Sequence, residues 1–537
     1  MLDYLNQITR KGTCLTRKGY ILNKNDFSEK EIRKIKNQLT VKPVVHRDYA
    51  HFAVEFPVFY ESKTKLYLPR YWGLEKFGPP EKIDICDGKS INLKCIYEPR
   101  SIQKPIIKRA LSILQNPFDK FIIKSVKKGK DNVEYKLYGG GTIISIYCGG
   151  GKTFCALYIM TKLAQKTLII VHTSVLLTQW IERIEQFVPG AKVGIIKGKK
   201  CDVEDKDIVI AMLQTLVSEN RVFPRGFFDQ FGLAIADEVH HLAAPTFSRA
   251  LPIMATKYFL GLSATPTRND KLEKVFYWHL GYIGNDLIDR RGGQEVIIKY
   301  INYTNTHFRE IRRYNARTHR NDAYDIPKMV DLIISCKRRL KLIRFQLKIF
   351  AEQGRQILVL SSRKQHLKDL KENFDNFNYT KIINDQEVPI TTGYYMGGMK
   401  KMDLEKSAKC DIIYGTFNLV AEGTDIPTLN TLLMACPRKE VEQVVGRILR
   451  ADTGFIPVVI DMTDTFSIFV NQGLYRQRFY KRQNYHIDQF DIDKENYKTF
   501  KLTDCKQTEG LKRGRKKKDN IEVEFKGLAI LDDSDDE

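Results

Sequence analysis

The sequence predicts an α/β protein: two tandem lobes of parallel sheet with helices on both faces, a small N-terminal domain and a disordered charged tail. Three observations predict it. The 537 residues exceed what one ordinary core accommodates. Between about 88 and 285, short apolar runs at 142–147, 167–172, 207–211, 232–237 and 258–263 alternate with amphipathic stretches, the rhythm of buried parallel strands and crossover helices. The rhythm pauses between about 286 and 335, then resumes at 356–362, 411–416, 429–436 and 457–462.

Taken in order, residues 1–87 form an accessory domain, with strand-like alternation over 51–60 and 65–71 ending in the stretch LPRYWGLEKFGPP. A first lobe spans 88–285. A connector spans 286–335 and contains the basic, aromatic run FREIRRYNARTHR. The second lobe spans 336–470, and a helical extension 471–510. The tail, 511–537, carries KRGRKKK and ends in DDSDDE. Such blocks are solvated and disordered, or serve as an import or nucleic-acid-contacting arm.

With 88 Lys+Arg against 64 Asp+Glu the net charge is +24, which points to a polyanionic partner and first to nucleic acid. A membrane surface or simple solubility are the other uses of such charge. No apolar run reaches the roughly 18 residues of a membrane-spanning helix, and the first residues lack the apolar core of a signal peptide. No two of the ten cysteines form a C-x-x-C pair, which argues for reduced thiols in a cytosol-like compartment and against a zinc ribbon.

The chemistry begins where the apolar run TIISIY meets CGGGKT and a helical stretch. Gly149, Gly150 and Gly151 let backbone N–H groups approach phosphate oxygens, Lys152 reaches the β- and γ-phosphates, and Thr153 ligates Mg²⁺. Downstream, GLAIA ends in Asp237 and Glu238. Carboxylates at the end of a buried parallel strand sit beside such a loop. Asp237 suits Mg²⁺, and Glu238 suits the attacking water. His240 and His241 lack partners at metal-ligand spacing, so a metal role is rejected for them.

These motifs resemble those of the superfamily 2 helicases of the DExH type, over roughly residues 95–465. CGGGKT is similar to family motif I and Asp237-Glu238-Val239-His240 to motif II; Ser263-Ala264-Thr265 resembles motif III, which couples hydrolysis to nucleic-acid movement. In the second lobe AEGTDIPTLNT resembles motif V, placing Glu422, Gly423 and Asp425 at nucleotide and nucleic acid. Gln443-x-x-Gly446-Arg447-x-x-Arg450 resembles motif VI. Its arginines, three apart on one expected helical face, can neutralise charge on the γ-phosphoryl group. Arg100-x-x-Gln103 resembles an adenine-reading element. HTSVLLTQW and MLQTL resemble motifs Ia and Ib, with Thr173, Ser174, Gln179 and Thr215 as candidate phosphate holders.

The form of these motifs, including Arg268-Asn269-Asp270 with Asn where the branch has Glu, is most similar to the transcription-repair helicase branch, closest to the poxvirus transcript-release type of large cytoplasmic DNA viruses. The resemblance implies two RecA-like lobes closing on one ATP, with ATP and Mg²⁺ as cofactors. It implies a helicase or translocase moving along DNA in viral transcription, or in repair and recombination. An RNA helicase, a non-unwinding double-strand translocase and a scaffold that has lost catalysis remain the alternatives. It further implies a monomer working with nucleic acid, DNA ahead of RNA, and with transcription machinery, without a membrane. The setting is intracellular: host cytoplasm and virion if viral, or the nucleus.

Overall fold

The computed structural model describes residues 12–44, 53–128, 131–147, 149–252, 256–264, 268, 270–284, 295–315, 320–417, 419–420, 426–451, 453–493 and 506–507. The chain divides into two compact units, residues 1–288 and 289–537. Each is a RecA-like lobe with additions.

The central sheet of the first unit has seven strands. In spatial order they are Gly141–Ser145, Tyr258–Ser263, Leu233–Ala236, Thr167–Val171, Ile208–Met212, Val193–Lys197 and Lys200–Cys201. All but the last run parallel, so their carboxyl ends share one edge. The five strands read as apolar runs in this lobe are buried almost throughout, because helices cover both faces. Val193–Lys197, which alternates buried with partly exposed positions, escaped that reading.

The segment read as an accessory domain belongs to the same unit. Its five-stranded sheet runs Tyr60–Glu61, Lys65–Leu68, Gly19–Asn23, Cys14–Thr16, Lys82–Asp84. The expected strand over 51–60 reduces, among the described residues, to the short pieces Phe56–Pro57 and Tyr60–Glu61. The one over 65–71 stops at Leu68, because Pro69 cannot donate to a ladder and instead opens the helix Arg70–Phe77.

That helix binds the domain to the lobe. Arg70 donates to the carbonyls of Thr256 (2.8 Å) and Lys257 (3.3 Å), and the Tyr71 hydroxyl to that of Gly139 (3.0 Å). Gly73 lies so close to Tyr20 that a Cβ there would stand 2.4 Å from its Cβ. An antiparallel hairpin, Phe121–Lys128 with Asp131–Tyr138, also meets this helix; the Tyr138 hydroxyl donates to the Leu74 carbonyl at 3.1 Å.

The eight-stranded sheet of the second unit runs Thr392–Tyr395, Ile412–Thr416, Ile357–Ser361, Thr431–Met434, Val458–Asp464, Ile297–Tyr303, His486–Ile492, Lys506–Gln507, all parallel save the last. Two features depart from the expected layout. Ile297–Tyr303, within the span read as connector, is an interior strand, and Phe308 packs its ring on Phe466 at 5.1 Å. Within that span Arg312–Asn315 and Arg320–Tyr324 stand apart as a two-stranded hairpin. The span read as helical extension begins within the helix Ile468–Arg482 but continues as the strand His486–Ile492, which returns to the sheet. Residues 511–537 lie outside the described residues.

Candidate active site

The strand Gly141–Ser145 delivers the glycine loop to the shared carboxyl edge. Gly149 and Gly151 have φ of 82° and 86°, a left-handed backbone that side chains rarely adopt. Gly150 has no room for one: a Cβ would lie 2.2 Å from Ile146 Cγ2. Lys152 and Thr153 then open the helix Lys152–Leu163, whose first N–H groups face the anion site such a terminus makes. Arg100 and Gln103 brace the loop from outside, donating to the Gly150 carbonyl at 3.3 and 3.1 Å. The Gln103 carbonyl oxygen accepts from Arg100 N–H at 2.9 Å, so this buried amide is engaged at both ends.

Sheet order brings the acidic residues alongside. Gly141–Ser145 and Leu233–Ala236 flank Tyr258–Ser263, with Ser145 in register with Ser263 and Ala236 with Gly261. Asp237 and Glu238 therefore emerge one strand away from the glycine loop. Glu238 takes a left-handed backbone (φ 49°) and directs its carboxylate to Lys152 Nζ, at 3.7 Å. Asp237 accepts a hydrogen bond from Trp180 Nε1 at 2.9 Å and another from Glu238 N–H at 3.0 Å.

The two carboxyls differ in character. Burial, then the neighbouring Glu238 charge, push Asp237 up to about 6, against Lys152 and the Trp180 hydrogen bond. For Glu238 burial acts upward, but Lys152 first and the imidazoles of His240, His241 and His172 together hold it below the usual carboxylate range. The ammonium, the Thr153 hydroxyl, two half-buried carboxyls and a loop with no room for a Cβ at Gly150 or Gly151 form a donor set that fits a magnesium-bound triphosphate.

A chain of contacts runs outward. His240 Nδ1 lies 3.4 Å from Glu238 Oε2 and 3.5 Å from Ser263 Oγ. Arg268 donates to the His240 carbonyl and pairs with Asp270. The His241 ring lies against His172, centroids 3.8 Å apart. Thr173 caps the helix Ser174–Phe187 by accepting from Leu176 N–H at 3.3 Å, and Gln179 lies on that helix, half-buried. Ser174 accepts from Lys197 Nζ at 3.0 Å, and buried Thr215 from Gly198 N–H at 3.0 Å. Ala264 follows Ser263 at the strand end, half-buried. Thr265 lies outside the described residues, as do Glu422, Gly423, Asp425 and Asn269.

In the second unit Gln443 sits in the short helix Glu442–Val445, and Arg447 in the 3₁₀ turn Gly446–Leu449 that Arg450 ends. The expected regular helical face is thus a tighter turn, in which positions three apart eclipse one another. Arg447 is buried and Arg450 half-buried.

The family profile described as "Type III restriction enzyme, res subunit" matches residues 96–268, the stretch holding this whole first-unit site. A protein of Acanthamoeba polyphaga mimivirus, "Putative ATP-dependent RNA helicase L396", is 31% identical over 502 residues, covering 92% of this chain and 90% of its own length. The protein is a superfamily 2 helicase. As a member of that family it is an ATP-dependent enzyme of the helicase class. "Putative ATP-dependent RNA helicase QP509L" of African swine fever virus (strain Badajoz 1971 Vero-adapted) is 25% identical over 418 residues, 72% of this chain and 77% of its own. Among solved structures, T4 UvsW matches 87% of this chain and 96% of its own at 15% identity, with a TM-score of 0.30.

Sequence reasoning missed Trp180 and His172 as parts of this helicase site. Both lie within a segment read for its hydroxyls and amides. Trp180 meets Asp237 across 57 residues of sequence, through sheet order alone.

Proposed function

We propose that the protein is a nucleic-acid-stimulated ATPase that moves along DNA, with residues 149–153, Asp237 and Glu238 as its hydrolytic centre. The observation that carries this reading is the Lys152–Glu238 pair at 3.7 Å, at the mouth of the glycine loop and beside a second, half-buried carboxyl, Asp237. Lys152 exchanges Glu238 for the β- and γ-phosphates when nucleotide binds. Glu238, released, accepts a hydrogen bond from the attacking water and orients it. Thr153 and Asp237 would hold Mg²⁺, which would neutralise charge on the phosphate oxygens.

Arg447 and Arg450, placed by Gln443 and its turn, neutralise the charge that develops on the transferred group. Arginines from a second unit make turnover conditional on closure, and bound nucleic acid biases closure. Arg100 and Gln103 face the base, and through Gly150 they also set the loop. Thr173, Ser174, Gln179 and Thr215 hold backbone phosphates; Ser263, Ala264, Thr265 and Arg268 couple the two events; Gly423 and Asp425 serve both. The contacts from Glu238 through His240 to Ser263 support that coupling, since a change at the water site is felt at the strand end.

DNA is favoured by similarity to the transcription-repair branch, and transcript release or recombination by its poxvirus-like motifs. The viral relatives support a viral protein. The proposal adds that it works as a monomer with transcription machinery in host cytoplasm or virion, with the nucleus as the alternative. RNA is the second reading, favoured by the printed names of those relatives.

One experiment compares ATP turnover with single- and double-stranded DNA and RNA, beside the Glu238→Gln variant. Stimulation by DNA and a silent variant are expected. Stimulation by RNA alone moves the reading to RNA. Turnover that no nucleic acid changes, or an unaffected variant, overturns the motor.

A further inference from the structure

The first unit holds a second cleft, away from the glycine loop. It opens between the accessory domain and the segment that follows the turn Leu213–Leu216, and its volume is about 1140 Å³. That exceeds the roughly 300–1,000 Å³ of small-molecule pockets and suits a stretch of polymer.

Its charge is lopsided. Arg17, Lys18, Arg221, Arg225 and Arg249 line it against two carboxylates, Glu61 and Glu219. Glu61 is already answered by Lys24 at 2.6 Å and Lys36 at 2.7 Å, and Glu219 by Arg249 at 3.1 Å. Arg17 pairs with Asp229 at 3.3 Å. Lys18 and Arg225 are exposed, and among the described residues neither has a carboxylate in ion-pair reach.

Flat rings alternate with these cations. Tyr60 is 48% exposed. Tyr67 carries the Lys18 ammonium 5.6 Å above its ring, and Phe223 carries the Arg221 guanidinium at 5.2 Å. Cations interleaved with partly exposed aromatic rings, Tyr60 the most open, suit phosphates and unstacked bases together. A folded duplex offers no base faces, and an acidic peptide has no use for the rings.

The cleft is continuous with the loops assigned to backbone phosphates. Lys197 holds Ser174, Gly198 N–H donates to Thr215, and Arg221 on the cleft wall donates to the Gly198 carbonyl. Between them Lys197, Lys199 and Lys200 stand exposed on the hairpin turn.

We propose that single-stranded nucleic acid passes from the Ser174 and Thr215 loops over this lysine turn into the cleft, where Lys18 and Arg225 take phosphates and Tyr60 and Tyr67 stack bases. The accessory domain is then a second grip, one that stays with the first unit. This inference rests on the nucleic-acid reading above.

The test is fluorescence anisotropy of labelled oligo-dT on the full chain, at roughly 6 and 16 nucleotides, the range of single-strand site sizes. Lys18→Glu with Arg225→Glu is expected to weaken the longer oligonucleotide tenfold or more and the shorter one less than threefold. Lys18→Ala with Arg225→Ala should reduce the salt slope of binding by about 1.4, two lost phosphate contacts on a single strand. Tyr60→Ala, an exposed side chain whose loss does not threaten the fold, should weaken binding and leave that slope unchanged. Wild-type affinity and slope in all three variants overturns the second grip while the motor reading stands. A wild-type chain that binds no oligonucleotide overturns both. Polyglutamate competing as well as oligo-dT, with Tyr60→Ala neutral, overturns nucleic acid as the occupant.

Discussion

Glu238 adopts a left-handed backbone that costs a non-glycine residue on the order of 1–2 kcal/mol, and this turns its carboxylate towards Lys152. The proposed role makes a sharp demand on that side chain: it must be anionic and able to orient water. Glu238→Gln keeps the shape and removes the charge. Turnover is expected to fall by about 10²–10⁴-fold while nucleotide binding persists, read by single-turnover hydrolysis beside equilibrium binding. Gly151→Ala acts earlier. Its Cβ would lie 2.4 Å from Gln103 Nε2 in a backbone of φ 86°, so nucleotide affinity itself is expected to drop, with the protein still folded by calorimetry. At this scale the sequence was legible where chemistry is local. Three glycines, a lysine and a threonine at a strand–helix junction declare an anion site without help. Trp180 and His172 did not declare themselves, because their partners Asp237 and His241 lie beyond the end of a different strand, Leu233–Ala236.

Among the elements, the buried strands of both sheets could be read because helices on both faces demand continuous apolar runs. Ile297–Tyr303 could not, although it is central. Lys299 and Asn302 interrupt it, and only the fold supplies their partners on His486–Ile492: Asp488 at 2.6 Å and Asp491 at 2.6 Å. The Lys299 ammonium and the His486 imidazole, 2.8 Å away, hold Asp488 far below the usual carboxylate range despite burial, and Asp488 in turn raises His486. A depressed carboxyl contributes stability above its unfolded value near 3.9, lost as pH falls through the folded value. A raised imidazole contributes below about 6.5, lost as pH rises through its folded value. Asp488→Asn should therefore lower Tm most between about pH 4 and 6.5, with the gap to wild type narrowing on either side: below as Asp488 protonates, above as His486 loses its proton while the Lys299 pair persists. A gap that does not change with pH would count against the ion pair.

The helix Ile468–Arg482 is fastened in a similar way. Arg476 meets Asp461 at 2.7 and 2.8 Å and Thr463 at 2.7 Å, all buried, and the Tyr480 hydroxyl donates to Asp461 at 2.8 Å. Arg476→Met leaves Asp461 charged and unpaired inside the unit, and should cost about 3–5 kcal/mol in denaturant unfolding. The double change Arg476→Met with Asp461→Leu removes both charges and should recover much of that loss, the sign that pairing rather than volume sets the cost.

For the whole molecule the question is whether residues in separate compact units serve one reaction. Lys152, Asp237 and Glu238 belong to residues 1–288, and Arg447 and Arg450 to residues 289–537. Sequence motifs identify both sets, yet nothing in a motif states that they meet; that step is a hypothesis about a transition state and is tested as one. Arg447→Ala should leave nucleotide affinity within a few-fold, since the glycine loop and Lys152 provide binding, and should lower kcat by about 10³-fold or more, as for arginines that neutralise a transferring phosphoryl group. Lys152→Ala should abolish binding as well. The deciding measurement is the combination. Groups that act on one transition state are far from additive, because once one is gone the other has little left to stabilise. Glu238→Gln with Arg447→Ala should therefore be scarcely slower than the worse single variant. If the two losses instead multiply in single-turnover hydrolysis with saturating nucleic acid, the arginine acts elsewhere, and the shared site is lost as an explanation for coupling between the units.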